Sequence, residues 1–380
     1  MDKILLDLGL QPLVNNLCKT KIEALQAKKY PITASIDSNL LIKLNYEVAS
    51  DELYKNYLYR SSVNTPYIEH CKKLWSSIKS RRPKTIIDIG GNDGTLLNTF
   101  KAEANYYLHL INVDASSSFK EENEEKGIRY FNNYFNKELD LPKADLITST
   151  NVFQHTKDIK KFVEGIKKYL KGIWILEFPY TLRTFETLQF DQFYHEHFYY
   201  WLITPLVKIF ANYDLEIVDY EELDIHGGTL RLYISKKSSS NKKSTIQKLL
   251  DFESNFDFFE ASKKMKEKII HDKKWLENLQ GKTVFFGSAA KGCVYLNALA
   301  IKLDKIKESY IVDDTFSKQN LYMPGTGLKV ISRERLYKEQ PENLIILAHN
   351  FKEYIIKSLR PKFKGNIITM LPKLEINNFY

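Results

Sequence analysis

The chain has 380 residues, of which 43% are hydrophobic and 13% aromatic, so it has the apolar material for packed cores and lacks the composition of a disordered protein. Its formal net charge is +9, but the lysines are spread along the chain and mostly lie near acids, which favours solvated surfaces over a nucleic-acid-binding tract. No apolar stretch approaches the roughly 18–20 residues that span a bilayer, the N-terminus lacks a secretory pattern, and the few scattered cysteines fit a reducing compartment. We therefore expect a cytoplasmic protein of several domains without nucleic-acid or membrane partners.

A regular alternation of strands and helices begins after a mixed N-terminal region and the basic segment RRPK. The predicted elements are a buried β-branched strand at 85–89, a helix at 96–104, strands at 107–116 and 144–153, a helix at 158–170 and a strand at 172–178. This alternation indicates a parallel, doubly wound sheet.

A second α/β pattern follows the polar segment 238–244. It starts with one long amphipathic helix, predicted at 246–279, and continues with a strand, a glycine-containing turn and a helix within 282–300. The sequence thus predicts an α/β fold in three parts: a small N-terminal domain at 1–75, a Rossmann-like central domain at 76–205 and a second Rossmann-like C-terminal domain at 206–380.

The first glycine turn follows the strand at 85–89 and opens a helix. Glycines let the backbone approach a ligand, and a helix N-terminus offers free N–H groups. Asp114 ends the next predicted strand, where a carboxylate can accept hydrogen bonds from both ribose hydroxyls. The spacing differs from G-x-G-x-x-G and favours an adenosyl ligand over a dinucleotide, although a turn that needs glycine for its geometry alone stays the alternative. The candidate cofactor-binding residues are Asp88, Gly90, Gly91, Asn92, Gly94, Asp114 and Asn151.

A phenol, two imidazoles and a carboxylate follow one another at Tyr194, His195, Glu196 and His197. Each can move or orient a proton near neutral pH. On a strand His195 and His197 would share a face, whereas a helix would separate them. The H-E-H spacing does not match helical zinc sites, so we expect no metal; an aromatic-rich strand with satisfied polar tips is the alternative. His155 follows a predicted strand, at the sheet edge where α/β sites gather.

These segments, in this order, resemble the S-adenosylmethionine-dependent sugar C-methyltransferases, which methylate carbon 3 of nucleotide-linked 4-keto-6-deoxysugars in deoxysugar biosynthesis. The resemblance covers nearly the whole chain and rests on LLDLGLQPLVN, NYLYRSS, DIGGNDGTLL, EFPY with FDQFYHEHF, IHGGTLRLYIS, FFGSAAKGCVYLN and YIVDDTFSKQNLYMPGT. Family members usually begin with a zinc domain built on two C-x-x-C pairs, but Ile36 and Asn39 stand where the second pair is expected. We therefore expect no structural zinc, and an N-terminal region held by packing against its neighbours.

The resemblance implies a class I methyltransferase fold for the central domain, S-adenosylmethionine as cofactor and a nucleotide-linked ketosugar as substrate. Methylation at carbon needs a base to make the nucleophile, and our hypothesis is that His197 removes the proton at carbon 3 and that Glu196 orients or polarises a group in the same site. Tyr194, His155 and Tyr59 would line the sugar.

The candidate substrate-binding residues are Glu177, Tyr180, His226 and Lys291. Lys291, at the second glycine turn, would meet the nucleotide diphosphate, unless this domain only packs over the active site; His226 could equally belong to an interdomain bend. An O- or N-methyltransferase on a related nucleotide sugar and a non-catalytic nucleotide-sugar-binding homologue remain the alternatives. The oligomeric state is left open and is compatible with a monomer.

Overall fold

The computed structural model describes residues 2–53, 65–225, 227–237, 246–301, 306 and 308–378. Two residues predicted in the site, Tyr59 and His226, lie outside this part of the chain. Across the described ranges, none of the helices combines the length and the apolar character required to cross a lipid bilayer.

A four-stranded antiparallel sheet forms the N-terminal unit. Its strands, in the order β1-β2-β3-β9, are β1 (Lys3–Pro12), β2 (Lys29–Ile36), β3 (Ile42–Leu44) and β9 (Tyr199–Tyr200). Two short helices, α1 (Lys21–Leu25) and α2 (Ser50–Leu53), belong to the same unit. Because β9 directly follows the H-E-H cluster, that cluster is tied to this sheet.

The central sheet has seven strands in the order β10-β11-β8-β7-β4-β5-β6. They are β4 (Thr85–Ile89), β5 (His109–Asp114), β6 (Arg129–Asn132), β7 (Ala144–Thr150), β8 (Leu170–Pro179), β10 (Leu215–Leu223) and β11 (Thr229–Lys236). Only β11 runs antiparallel to its neighbours in this sheet. The described helices of this region are α3 (Thr65–Ile78), α4 (Thr95–Glu103), α5 (Lys120–Glu125), α6 (Ile159–Tyr169), α7 (Thr181–Glu186) and α8 (Ile203–Ala211).

Both faces of the central sheet are buried, which explains its uninterrupted apolar strands. On β4, Ile86 packs into one hydrophobic cluster, whereas Ile87 and Ile89 pack into another. A parallel strand covered on both sides reads as a continuous β-branched run, as the sequence does here. The predicted parallel α/β sheet is confirmed, in the strand order of class I methyltransferases.

The sheet continues past residue 205, where the sequence analysis ends the central domain. Strand β11 pairs with β8 from Thr229 to Ile234, and β10 pairs with β11. The segment IHGGTLRLYIS was assigned to the C-terminal domain, yet its strand forms backbone hydrogen bonds with the central sheet. A boundary after Lys236 fits this pairing better than one at 205, because hydrogen-bonded strands share one core.

The C-terminal sheet has the order β14-β13-β12-β15-β16-β17, and its last strand alone is antiparallel. Its strands are β12 (Thr283–Phe286), β13 (Ile311–Val312), β14 (Val330–Ile331), β15 (Asn343–Ile346), β16 (Asn366–Thr369) and β17 (Glu375–Asn377). The described helices are α9 (Gln247–Asn255), α10 (Phe258–Asn278), α11 (Ala290–Leu299), α12 (Arg333–Glu339) and α13 (Lys352–Leu359). This is the second Rossmann-like unit that the sequence predicts.

The single long helix predicted at 246–279 is two helices, α9 and α10. The break falls at Asp257, whose carboxylate accepts hydrogen bonds from the backbone N–H groups of Phe259 and Glu260. An aspartate that satisfies the first free N–H groups starts a new helix and ends the preceding one. The apolar spacing continues across the break, so periodicity alone did not reveal it.

The N-terminal unit packs directly on the C-terminal one. Cys18 and Tyr322 exchange backbone hydrogen bonds of 2.9 and 2.8 Å, and the hydroxyl of Ser262 donates to the carbonyl oxygen of Leu5. At the positions of the family cysteines, Ile36 is buried and the amide oxygen of Asn39 accepts a hydrogen bond from Lys208. Interdomain hydrogen bonds thus help to hold the N-terminal unit in place.

Candidate active site

Tyr194 to His197 form a reverse turn, neither the strand nor the helix considered from the sequence. The His197 N–H donates to the Tyr194 carbonyl oxygen at 2.9 Å, which places their two rings 4.0 Å apart between centroids. His195 takes a different direction, and its Nε2 donates to the carbonyl oxygen of Tyr30 at 3.3 Å. His195 and His197 therefore do not share a face, and only His197 joins the cluster.

The turn is held from two sides. From the central domain, the carbonyl oxygen of Gln154 accepts the Phe198 N–H at 2.8 Å, and His155 Nδ1 donates to the Glu196 carbonyl oxygen at 2.8 Å. From the N-terminal unit, Asn15 Nδ2 donates to Glu196 Oε1 at 2.7 Å. The structure thus brings His155, Tyr194, Glu196 and His197 together at the meeting of two domains.

Each imidazole of the cluster keeps one nitrogen with a lone pair that can accept a proton. His155 Nδ1 contacts the Glu196 carbonyl oxygen and His197 Nδ1 contacts the Gln192 carbonyl oxygen at 3.1 Å. Carbonyl oxygens only accept, so each Nδ1 carries the proton and each Nε2 keeps a lone pair. Burial lowers the pKa of His155 to about 4. Burial, together with the charges of His155 and Lys291, holds the pKa of His197 well below its usual value. Both rings are neutral at pH 7.

The carboxyl group of Glu196 keeps its proton to a higher pH than an ordinary glutamate does. It is 4% exposed, and burial raises its pKa to about 7, while the hydrogen bond from Asn15 partly opposes that rise. A carboxyl with this pKa is present in both protonation states near neutral pH. The cluster therefore pairs neutral imidazole bases with a group able to donate a proton.

The glycine turn after β4 is built around the Asp114 carboxylate. Its two oxygens accept the backbone N–H groups of Asn92 at 2.9 Å and of Ser116 at 2.8 Å. Gly90 has φ +66°, and a Cβ there would lie 2.5 Å from a methyl carbon of Val152. The turn needs glycine for conformation and for space, and it closes against the segment that follows β7.

The residues around this turn fit an adenosyl cofactor. Each Asp114 oxygen keeps a further lone pair for a ribose hydroxyl. Asn151 adopts φ +57°, and its Oδ1 is buried without a hydrogen-bond partner among the described residues. Asp88 accepts a hydrogen bond from the Thr148 hydroxyl at 2.7 Å, and burial raises its pKa to about 7. Gly91, Asn92 and Gly94 complete the turn, and Gly94 caps α4.

One short segment joins the turn to the cluster. Val152 lies against Gly90, and three residues later His155 supports Glu196. A 3₁₀ turn from Phe153 to His155 fixes the distance between them. The Gly90 turn follows β4 and His155 follows β7, and these two strands are neighbours in the sheet. The predicted cofactor site and the predicted catalytic site therefore lie side by side at the carboxyl edge of the sheet, as expected for an α/β fold.

Glu177 and Tyr180, predicted to bind substrate, have other partners. Glu177 is fully buried, and its carboxylate contacts His70 Nε2 at 2.8 Å and Arg231 Nε at 2.5 Å. Burial alone would raise its pKa, but these two groups hold the pKa below its usual value. The Tyr180 hydroxyl donates to Glu253, which also accepts the first N–H groups of α8. These contacts argue against the predicted substrate role of both residues.

Lys291 is partly buried in the first turn of α11, and its charge contributes to the lowered pKa of His197. Burial lowers the pKa of Lys291 to about 8, and the charge of Asp191 opposes that change. Asp191 itself is 1% exposed, and His349 Nδ1 approaches its Oδ2 at 3.5 Å. The sequence did not predict Asp191, His349 or Asn15 as site residues, because each is far from its partners along the chain. Two of them lie in segments that carry the family resemblance: Asp191 in FDQFYHEHF and Asn15 in LLDLGLQPLVN.

Within the described residues, no group of three or more His, Cys, Asp or Glu side chains is arranged to hold a metal ion. The expectation that the reaction needs no metal stays a prediction.

Comparison with known proteins agrees with this geometry. A family described as "Methyltransferase domain" matches residues 59–220, and one described as "C-methyltransferase C-terminal domain" matches residues 224–372. The C-methyltransferase NovU of Streptomyces niveus is 23% identical over 97% of this chain and 92% of its own length. The chain is an S-adenosylmethionine-dependent methyltransferase that is similar to a C-methyltransferase over nearly its whole length.

Two solved structures resemble part of this methyltransferase. The 1,6-didemethyltoxoflavin-N1-methyltransferase of Burkholderia thailandensis is 13% identical, covering 54% of this chain and 96% of its own, with a TM-score of 0.39. The methyltransferase domain of bacterial CtHen1 is 17% identical, covering 45% and 98%, with a TM-score of 0.38. At these scores neither likeness bears on the chemistry of the site.

Proposed function

We propose that this methyltransferase deprotonates carbon 3 of a nucleotide-linked 4-keto-6-deoxysugar and methylates the resulting enolate. The observation that carries the proposal is the meeting of His155, Glu196 and His197, in which each imidazole Nδ1 donates to a carbonyl oxygen and the two rings lie 4.8 Å apart between centroids. Methylation at carbon requires a carbon nucleophile, and the proton next to a ketone is the accessible one. Removing that proton needs a base together with a donor near the carbonyl oxygen.

His197 Nε2 accepts the proton from carbon 3. The Nδ1–H of the same ring stays bonded to the Gln192 carbonyl oxygen, which orients the ring and stabilises the cation that forms. Protonated Glu196 donates to the keto oxygen, where negative charge develops. Tyr194 and His155 contact the remaining sugar oxygens, and Tyr59 and His226 keep the roles that the family resemblance implies.

S-adenosylmethionine, when bound, supplies an electrophilic methyl group on a sulfonium. Asp114 would accept the ribose hydroxyls, Asn151 Oδ1 would accept from an N–H group of the cofactor, and the Gly90 turn would lie against it. The segment from Asn151 to His155 would contact the cofactor at one end and supports the turn of Glu196 and His197 at the other. It would thereby fix the distance between the methyl donor and the base His197, as methyl transfer requires. Cytoplasmic location and a role in deoxysugar biosynthesis are proposed on the same grounds.

The test is incubation of the protein and S-adenosylmethionine with dTDP- and GDP-linked 4-keto-6-deoxysugars, followed by location of the new methyl by NMR. A methyl on carbon 3 is expected. A methyl on oxygen or nitrogen would refute the enolate and favour a heteroatom methyltransferase.

Deuterium exchange separates deprotonation from transfer. With S-adenosylhomocysteine in place of the methyl donor, carbon 3 of the bound substrate should exchange with heavy water in the wild-type protein and not in His197→Asn. Equal exchange rates in both would remove His197 from the role of base.

A further inference from the structure

Asp191 is a buried carboxylate beside the proposed base. It is 1% exposed, and neither of its oxygens has a hydrogen-bond partner in the described part of the chain. It lies in the 3₁₀ turn from Phe190 to Gln192, so it directly precedes the residue whose carbonyl oxygen orients His197. A carboxylate in this position has a substantial cost unless a ligand or a neighbouring donor satisfies it.

The groups that face Asp191 come from the C-terminal domain. His349 Nδ1 is 3.5 Å from Asp191 Oδ2, and His349 Nε2 lies 3.3 Å from the side-chain oxygen of Gln189. Burial raises the pKa of Asp191 to about 7, although the charge of Lys291 opposes that rise. The cluster therefore lies between the central domain and the C-terminal domain.

Acceptors without a partner predominate around it. Besides both oxygens of Asp191, the buried side-chain oxygen of Asn350, the residue after His349, has no hydrogen-bond partner within the described ranges. A diphosphate brings only further acceptors and negative charge, which Asp191 would repel. Sugar hydroxyls bring donors, and a carboxylate can accept two of them at once.

We propose that Asp191, Lys291 and His349 form a subsite for hydroxyl groups of the sugar part of the substrate, enclosed between the two domains. The subsite rests on the proposed function, and it replaces the contact between Lys291 and a diphosphate that the sequence suggested. Asp191 accepts from the hydroxyls, and Lys291 and His349 supply donors and hold Asp191 in place. Asp191 directly precedes Gln192, whose carbonyl oxygen orients His197. A sugar whose hydroxyls bind Asp191 therefore has its ring next to the base.

Calorimetric titration tests the subsite with defined probes. The ligands are dTDP, GDP, dTDP-4-keto-6-deoxyglucose and GDP-4-keto-6-deoxymannose, titrated into wild type, Asp191→Asn and Lys291→Met. The matched control is Asp313→Asn, because Asp313 is also buried at the second glycine turn but its carboxylate accepts the N–H groups of Ser288 and Thr315. Retained binding of S-adenosylhomocysteine shows that each variant is folded.

Asp191→Asn should bind the recognised nucleotide sugar about 10- to 100-fold more weakly, whereas its affinity for the free nucleoside diphosphate should stay within about twofold of wild type. Lys291→Met should behave alike, and Asp313→Asn should bind both ligands as wild type does. Unchanged sugar affinity in Asp191→Asn, or a loss of nucleoside diphosphate affinity of about tenfold in Lys291→Met, would overturn the subsite alone. If the wild type binds no nucleotide sugar, the proposed function fails and the subsite fails with it.

Discussion

Two buried glutamates, Glu196 and Glu177, should respond to the same substitution with opposite changes in stability. The pKa of Glu196 is about 7 in the folded protein against an ordinary 4.5. The stability that its neutral form contributes is therefore complete below pH 4.5 and is lost as the pH rises through about 7. The gap between the two pKa values corresponds to about 3 kcal/mol, at about 1.4 kcal/mol per pH unit. Glu196→Gln cannot ionise, so at pH 8 it should be more stable than wild type by about that amount, and by no more than about 1 kcal/mol at pH 5.

Glu177→Gln removes the negative charge that contacts His70 and Arg231. Its pKa is held below the ordinary value, so its contribution is present above the unfolded pKa and is lost only as the pH falls through the folded one. At pH 8 this variant should lose about 3 kcal/mol, because buried Arg231 keeps only the partly exposed Glu221 as a counter-charge.

Urea unfolding at pH 5 and pH 8, followed by the fluorescence of the buried Trp174 and Trp201, measures both differences. Glu121→Gln, on the exposed side of α5, is the control and should change neither. A Glu196→Gln protein that is no more stable than wild type at pH 8 would refute the reasoning about its carboxyl group.

Three further predictions concern the chemistry. His197→Asn should lower turnover by about 10²- to 10⁴-fold with unchanged affinity for S-adenosylhomocysteine, as initial rates and calorimetry would show, and near-normal turnover would contradict the assignment. Asp114→Asn should weaken S-adenosylhomocysteine binding by about 10- to 100-fold, whereas equal dissociation constants would exclude Asp114 from the ribose site. Asn15→Leu removes the hydrogen bond that lowers the pKa of Glu196, so the alkaline limb of the pH–rate profile should move to higher pH; an unmoved limb would mean that Glu196 does not act as the proton donor.

Local patterns predicted the central sheet well, because strands buried on both faces and a glycine turn leave strong signals over a few residues. The strand at 85–89 and the start of α4 are as expected. The identity of the cluster residues also followed from their neighbourhood in the sequence, and the structure brings four of them together.

What the sequence could not predict depends on contacts between distant residues. The reverse turn at Tyr194 is held by a hydrogen bond from the Phe198 N–H to Gln154 and one from Asn15 to Glu196, and no sequence periodicity indicates such bonds. Glu177 was a candidate because it begins EFPY, a segment of the family resemblance, but Arg231 and His70 contact its carboxylate. The same limit applies to Lys291, whose neighbour Asp191 lies a hundred residues earlier in the chain.

The short strand β9 has a consequence for the order of assembly. It completes the N-terminal sheet by pairing Tyr199 and Tyr200 with β3, and Asn15 reaches Glu196 across 181 residues. Contacts of such separation form late, because a long loop must close first. A nascent chain therefore carries β3 as an unpaired edge until the segment around residue 200 has been made, and the proton-transfer groups meet only when that edge is closed. The active site is therefore complete only when the N-terminal sheet has closed on β9, and detaching that sheet would remove Asn15 from Glu196.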